Sequence, residues 1–268
     1  MSTENPEKKL SFLRRNRDLI LFFLICASIF YWHVLTQPIS PFLPRDEPHV
    51  PFERHHQFTT HFPFVTSYFL MVPDNYQPEK YVYPLVVMLH GASTHMYGGK
   101  VMARPEMRKH FPAFVLIPIA PYGAVWAMPN KNLFRPQALS LAIDAMESVI
   151  DQYSIDKSRV YITGASMGGA GTYGALIRYP GVFAAAAPTD GGWIPEQAGY
   201  LDNIPIWILH GTQDNVVPVI VARAMASVLK QARDNVLYTE YQGYGHGVWK
   251  PTYENPKFWY WLFSQKKK

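Results

Sequence analysis

The chain has 268 residues, of which 48% are hydrophobic and 17% charged; this is enough apolar material for a folded core and excludes a largely disordered protein. Its net charge of +5 lies at the two ends, because five basic residues face three acidic ones in the first 35 residues and three lysines close the chain. The body between them is neutral and lacks the basic surface that a phosphate backbone requires, so the sequence predicts no nucleic-acid partner.

An apolar run near the N-terminus predicts a membrane-directed helix. Leu19–Leu35 contains 17 residues without Asp, Glu, Lys or Arg and follows the basic segment 1–18. As a helix this run rises about 26 Å, slightly less than a bilayer core of about 30 Å. Positive charge before the run predicts a body outside the cytoplasm. Three readings stay open: an uncleaved signal-anchor over 19–35, a cleaved signal peptide that releases a secreted protein, and a buried helix of a soluble protein.

Proline marks the next stretch, residues 36–55, with five prolines between positions 38 and 51. Proline fixes φ and removes a backbone donor, so we expect an extended linker here. The remainder, 56–268, alternates short apolar runs with longer amphipathic ones and is predicted to form one folded domain.

The domain's predicted elements alternate along the chain. Seven apolar runs predict strands: Tyr68–Val72, Leu85–Leu89, Phe114–Ile119, Val160–Thr163, Phe183–Ala187, Ile204–Leu209 and Val236–Tyr241. Four runs predict helices: Leu139–Tyr153, Met167–Tyr179, Val219–Ala232 and Asn255–Phe263. Continuous apolar strands between helices indicate an α/β fold with a mostly parallel central sheet and helices on both faces. Ligands bind beyond the carboxyl ends of such strands, so the residues that follow each strand are candidates for a site.

A Gly-x-Ser-x-Gly motif with Ser166 at its centre lies between the strand Val160–Thr163 and a helix rich in small residues. A nucleophilic serine in this setting sits on a tight strand-to-helix turn that exposes its hydroxyl, and small neighbours leave room for that turn. The alternative interpretation is a glycine-rich turn with a buried serine.

A serine hydroxyl needs a base, and the base needs an acid that orients it. His246 follows the last predicted strand in a glycine-flanked loop, and Asp214 follows the strand Ile204–Leu209. The chain order Ser, Asp, His is the one found when a nucleophile turn is built on this kind of sheet. Asp190 also follows a strand and is the rival acid. The sequence therefore predicts Ser166, Asp214 and His246 as a catalytic triad.

Two backbone N–H groups are expected to stabilise the oxyanion of such a reaction. Met167, directly after the nucleophile, is predicted to provide one. Ala92, after the strand Leu85–Leu89, is predicted to provide the other, with Ser93 as the alternative.

Three tryptophans fall in or near loops at strand ends, where a ring can stack on a sugar or a phenolic acyl group, although such rings also pack in cores. They are Trp126, Trp193 and Trp249. None of the predicted roles needs a metal or an organic cofactor.

With these residues in place, the body resembles the α/β-hydrolase superfamily, and within it the feruloyl-esterase-like and acetyl-xylan-esterase-like hydrolases of the phospholipase/carboxylesterase-like, predicted-peptidase group. The resemblance covers roughly Thr59 to Lys266. It is carried by LVVMLHGAS, IDKSRVYITGASMGG, IPIWILHGTQDNVVP, YTEYQGYGHGVW and WYWLFSQKK. It implies the α/β-hydrolase fold, with 56–268 as the catalytic domain.

The predicted function is hydrolysis of carboxylic esters through an acyl-enzyme on Ser166. Acyl groups such as acetyl or feruloyl are expected, on a small molecule or a polysaccharide, because the short stretch 190–203 predicts an open cleft without a large lid. A serine peptidase of the prolyl-oligopeptidase-like kind would use the same triad, although we find no gating domain in the sequence. A membrane-tethered binding protein with a decayed site is the third hypothesis.

Overall fold

The computed structural model describes residues 51–58, 65–92, 97–129 and 138–267. The predicted segments 1–18 and 19–35 and most of the linker 36–55 lie outside these residues, and the predictions for them stay predictions. Within the described ranges, no helix combines the length and the apolar character needed to cross a bilayer.

The described residues contain one sheet of eight strands, seven α-helices and a short 3-10 helix over Pro195–Tyr200. The strands are β1 (Glu53–Phe58), β2 (Val65–Met71), β3 (Tyr83–Leu89), β4 (Phe114–Ile119), β5 (Ile155–Ala165), β6 (Ala185–Thr189), β7 (Ile206–Gly211) and β8 (Val236–Tyr241). The α-helices are α1 (Tyr97–Met102), α2 (Pro105–His110), α3 (Leu139–Gln152), α4 (Met167–Arg178), α5 (Val219–Ala232), α6 (Trp249–Glu254) and α7 (Pro256–Ser264).

The strand order across the sheet is β1-β2-β4-β3-β5-β6-β7-β8. β3 to β8 pair with one another in parallel, whereas β2 is antiparallel to both β1 and β4. This is the α/β-hydrolase type of sheet, and the prediction of a mostly parallel sheet is confirmed. The carboxyl ends of β3, β5, β6, β7 and β8 therefore meet along one edge.

Helices cover both faces of the sheet, as the continuous apolar strands predicted. Successive side chains of a strand point to opposite faces. In β3, Leu85, Val87 and Leu89 join the core formed with α3, α4 and α5. Val86 and Met88 join the second core, which α1, α6 and α7 cover. All seven residues of β3 are buried, which explains why this strand has no polar alternation in the sequence.

Five elements escaped sequence prediction: β1, α1, α2, α6 and the 3-10 helix. β1 takes up the last three positions of the predicted linker and pairs with β2 at the edge of the sheet. There the ring of His55 stacks on Tyr68 with centroids 5.1 Å apart. The four missed helices have six residues each, which is too short for a recognisable helical period.

Candidate active site

Ser166 occupies the turn between β5 and α4 with a φ of +56°, a left-handed conformation that side chains other than glycine rarely adopt. Such a conformation costs about 1–3 kcal/mol and persists only where the surroundings hold it. Two backbone hydrogen bonds do so: Ser166 N–H donates to Thr189 O at 2.9 Å, and Ala170 N–H donates to Ser166 O at 3.0 Å. The turn is thus tied to β6 and to the first turn of α4.

The two glycines of the motif allow β3, β5 and α4 to approach closely. A Cβ on Gly164 would lie 2.4 Å from the carbonyl oxygen of Gly168. A Cβ on Gly168 would lie 1.9 Å from the carbonyl oxygen of Leu89. Both contacts are with backbone atoms, which cannot rotate away. The motif is therefore a packing requirement of the turn that presents the Ser166 hydroxyl.

Replacing Gly168 with alanine is expected to lower the free energy of unfolding by about 3 kcal/mol or more, because the new methyl group collides with β3. Gly199→Ala is the matched control, since nothing lies within 4 Å of a Cβ at that position. This control should stay within about 0.5 kcal/mol of the parent. Urea unfolding of the three proteins measures both values, and equal midpoints for the two variants would contradict the packing argument.

The structure brings Ser166, His246 and Asp214 into one line of hydrogen bonds. His246 Nδ1 lies 2.7 Å from Asp214 Oδ2, and His246 Nε2 lies 2.8 Å from Ser166 Oγ. A carboxylate accepts only, so the proton sits on Nδ1 and Nε2 accepts from the Ser166 hydroxyl. This is the tautomer in which an imidazole can take the proton of a serine as it attacks.

Asp214 is held as a carboxylate by its surroundings. Its Oδ1 accepts from the N–H groups of Val216 and Val217, each at 2.8 Å. Its Oδ2 lies 3.3 Å from Nε2 of the buried His210, in addition to the contact with His246. Burial raises the pKa of Asp214, but hydrogen bonds from the two histidines outweigh it and hold the pKa below its usual range. The negative charge that would stabilise an imidazolium at His246 is therefore in place.

The loop after β3 lies against Ser166. A Cβ on Gly91 would lie 3.7 Å from Cβ of Ser166, which places the Gly91–Ala92 peptide at the site. Met167 is the first residue of α4, where the backbone N–H has no acceptor within the helix. Both predicted oxyanion donors thus belong to backbone that borders Ser166, and their role stays a prediction. The alternative donor, Ser93, lies outside the described residues.

His90 fixes the same loop. The N–H of Ala120 donates to His90 Nε2 at 3.0 Å, so the ring proton is on Nδ1, which donates to Gly91 O at 2.6 Å. Trp126 Nε1–H also donates to the carbonyl oxygen of His90, at 2.8 Å. Because the C=O and N–H of a trans peptide point in opposite directions, this contact with Gly91 O directs the Ala92 N–H away from His90.

Stability is expected to fall in acid because of His90. Burial lowers the pKa of His90 to about 4, against a smaller opposing effect of its bond to Gly91. In the unfolded chain the ring takes a proton near pH 6.5. The neutral His90 ring therefore contributes fully to the free energy of unfolding above about pH 6.5, and this contribution is lost as the pH falls to about 4. The free energy of unfolding falls by about 3 kcal/mol over this range.

This expectation is tested by urea unfolding at pH 7 and pH 4 of the parent and of His90→Asn, whose amide can still donate to Gly91 O. The parent should lose about 3 kcal/mol more than the variant over this range. Equal losses in the two proteins would mean that His90 does not stay neutral in the folded state.

The structure contradicts two of the three predicted substrate contacts. Trp126 has 0% and Trp193 3% of its surface exposed, so neither ring has a face available for a sugar. Both indole N–H groups are already used, Trp126 on His90 and Trp193 on Gln197 Oε1 at 2.9 Å. Both rings instead pack in the hydrophobic core that α3, α4 and α5 form with the sheet, because burial of such a large apolar surface is favourable.

Trp249, the third predicted substrate contact, lies beside His246. It is partly exposed, and its ring stands edge-on to that of His246 with centroids 5.4 Å apart. Its position at the start of α6, three residues after His246, explains this contact.

Asp190, the rival acid, does not contact the His246 ring in the described hydrogen-bond network. Asp190, His210 and Asp214 offer one ligand-type atom each within 4.8 Å of one another, a spacing also found at metal sites. Each of the four carboxylate oxygens, however, already accepts one or two hydrogen bonds. The cluster is built as a hydrogen-bond network, and a metal ion would have to displace those donors.

The sequence profile described as phospholipase/carboxylesterase matches residues 76–255, more than half of the chain. The bifunctional acetylxylan esterase/xylanase XynS20E of Neocallimastix patriciarum is 31% identical over 147 residues, which are 54% of this chain and 21% of that protein. Feruloyl esterase C of Emericella nidulans is 29% identical over 160 residues, which are 57% of this chain and 56% of that protein.

A solved thermostable esterase has a TM-score of 0.75 and 36% sequence identity, over 81% of this chain and 64% of that one. The first curated relatives are longer than the region they share with this chain, which spans between about a fifth and about half of their length. Residues 76–255, which match the family profile, include every strand end that contributes a residue to the candidate site.

Proposed function

The chain belongs to the phospholipase/carboxylesterase family, and from that premise we propose that it hydrolyses carboxylic esters through an acyl-enzyme on Ser166. One observation carries the proposal: hydrogen bonds of 2.8 and 2.7 Å join Ser166 to His246 and His246 to Asp214. Activation of a serine requires a buried acid, a base that the acid orients, and a hydroxyl in line with the base.

In the first half of the reaction Ser166 Oγ attacks the ester carbonyl carbon and its proton passes to His246 Nε2. Asp214 stabilises the imidazolium, and the N–H groups of Met167 and Ala92 donate to the oxyanion. The intermediate collapses when the bond to the alcohol oxygen breaks and His246 returns the proton to that oxygen. The alcohol leaves, and the acyl group stays on Ser166.

In the second half a water molecule takes the place of the alcohol. His246 accepts a proton from the water as its oxygen attacks the acyl carbon, and the same N–H groups stabilise the second oxyanion. The bond to Ser166 Oγ then breaks, the proton returns to that oxygen, and the carboxylic acid departs. Water is the only co-reactant of this cycle.

The proposed substrates carry a short or phenolic acyl group, such as acetyl or feruloyl, on a small molecule or a carbohydrate. The names of the two curated relatives support this class. The crossover from β6 to β7 also supports it, since its helical content is a single 3-10 helix of six residues and not a lid domain. Trp249, partly exposed beside His246, is the proposed contact for a sugar or an aromatic acyl group.

We also propose that the apolar run 19–35 tethers the enzyme to a membrane, with the catalytic domain on the far side from the cytoplasm. The basic residues before the run support this orientation. Cleavage of the run would release a secreted enzyme. Alkaline extraction and protease treatment of intact cells distinguish the forms: a tethered protein stays in the pellet and its domain is digested from outside.

The substrate class is tested by presenting the full chain with short-chain nitrophenyl esters, methyl ferulate, acetylated xylan and a proline-containing amide. Hydrolysis of esters with no cleavage of the amide supports the proposal, and the preferred ester narrows the acyl group. Cleavage of the amide alone would instead identify a peptidase with the same three residues.

A further inference from the structure

The carboxylate of Asp190 lies at the carboxyl end of β6 and receives three backbone hydrogen bonds. Its Oδ1 accepts from Gly211 N–H at 3.1 Å. Its Oδ2 accepts from the N–H groups of Gly247 and Val248, at 2.9 and 2.8 Å. Asp190 itself is fully buried, with 0% of its surface exposed. The two loops that it binds come from different strands, β7 and β8.

These loops carry the other reacting side chains. Gly247 and Val248 follow His246 directly, and Gly211 ends β7 three residues before Asp214. The residue before Asp190 completes the connection, because Thr189 O accepts the N–H of Ser166. The end of β6 thus anchors the backbone of the nucleophile, of the base and of the acid.

The local conformation of Asp190 is strained, with a φ of +46°. Aspartate and asparagine adopt this conformation at lower cost than other side chains do, because a short polar side chain can bond nearby backbone. Among the described residues three backbone N–H groups donate to the carboxylate, and they use both of its oxygens, whereas an amide would offer one acceptor oxygen. Both features distinguish Asp190 from an ordinary core residue.

The charge of Asp190 lies among other titratable groups. These are His210 on β7, Asp214 after it, Tyr241 on β8, His246 in the following loop and Tyr253 on α6. Burial raises the pKa of Asp190, while His210 and the bond from Val248 oppose that effect. The pKa of Asp190 is raised on balance, and the three backbone donors are what stabilise its carboxylate at this position.

We propose that Asp190 is a positioning residue for this hydrolysis: it holds the backbone on which His246 is mounted and so keeps the imidazole in line with Ser166. This role rests on the ester hydrolysis proposed above. Asp190 is fully buried, so the proposed role acts through the backbone that it binds and not through contact with the substrate.

Asp190→Asn tests the role with little change of shape, since asparagine tolerates the same backbone. The amide keeps one acceptor oxygen but directs an N–H₂ group at one of the backbone donors. We expect kcat to fall by about 10- to 100-fold while KM changes little, because the base is misplaced and substrate contacts are not.

Val149→Ala is the control for lost stability alone, because Val149 is fully buried in α3, away from the strand ends that carry the site. It should unfold at a lower temperature than the parent and keep the parent's kcat and KM. Fluorophosphonate titration counts the folded sites in each protein, so that kcat refers to active molecules. A parent-like kcat in Asp190→Asn would overturn the positioning role while leaving the ester hydrolysis of the parent intact.

A measurement on the parent protein covers the case in which Asp190→Asn does not fold. Hydrogen exchange of the Gly247 and Val248 amides should be as slow as that of core amides in β5, because a buried acceptor holds both. Fast exchange at these two amides would overturn the proposal directly. Lack of ester hydrolysis by the parent would instead contradict the proposed function.

Discussion

Ser166→Ala is expected to lower kcat for ester hydrolysis by about 10,000- to 1,000,000-fold, the effect of removing the nucleophile from a unit that acts together. The hydroxyl is in contact with His246 Nε2, so the substitution deletes both the attacking atom and the proton that the base accepts. Substrate binding should persist, because the oxyanion donors are backbone groups. The kinetics of purified parent and variant on the same nitrophenyl ester measure the loss.

Ser264→Ala provides the control for this comparison. Ser264 is exposed and ends α7, so its loss should leave kcat unchanged. Circular dichroism and thermal unfolding of both variants exclude loss of structure as the cause. Retention of more than a tenth of the parent's turnover in Ser166→Ala would show that another group attacks the ester.

Asp214→Asn is expected to lower kcat by about 10,000-fold with a small change in KM. The amide would donate to His246 Nδ1 and leave the ring proton on Nε2, facing Ser166, where it cannot accept a proton. In this orientation the amide oxygen still accepts from Val216 and Val217, but the N–H₂ group faces His210 Nε2 in place of an acceptor, so some loss of stability accompanies the substitution. Activity is measured at a temperature where calorimetry shows the variant folded.

The control for the charge change is Asp151→Asn, an exposed carboxylate on α3 that should keep full activity. If Asp214→Asn were as active as this control, the base would be oriented by a different acid. The nearest carboxylate is Asp190, and the same assay on Asp190→Asn would then show the larger loss.

The parallel core of the fold was predictable because its strands are buried on both faces and read as unbroken apolar runs. β4 and β8 and the helix α5 begin and end where the sequence pattern placed them. β1 was not predictable, because an edge strand that pairs on one side carries polar residues such as those of Glu53–Phe58. The short helices α1, α2 and α6 form through tertiary packing and leave no periodic signal.

The site was predictable to the extent that it depends on strand ends. Ser166, Asp214 and His246 are far apart in the chain, and parallel topology is what brings the ends of their strands together. The depth of a side chain beneath such an edge is not encoded locally, which is why the prediction of Trp126 and Trp193 as substrate contacts was wrong. The role of Asp190 depends on backbone amides of distant loops, which no local pattern reveals.

The central claim is that Ser166 is an activated nucleophile, and covalent labelling tests it most directly. The folded parent is incubated with a fluorophosphonate and the adduct is located by mass spectrometry of its peptides. We expect one adduct per chain, on Ser166. Its formation should be slower in Asp214→Asn, because the His246 proton then sits on Nε2 and the ring cannot accept the proton of Ser166. A folded protein that stays unlabelled, or that carries the adduct on a different residue, would contradict this account.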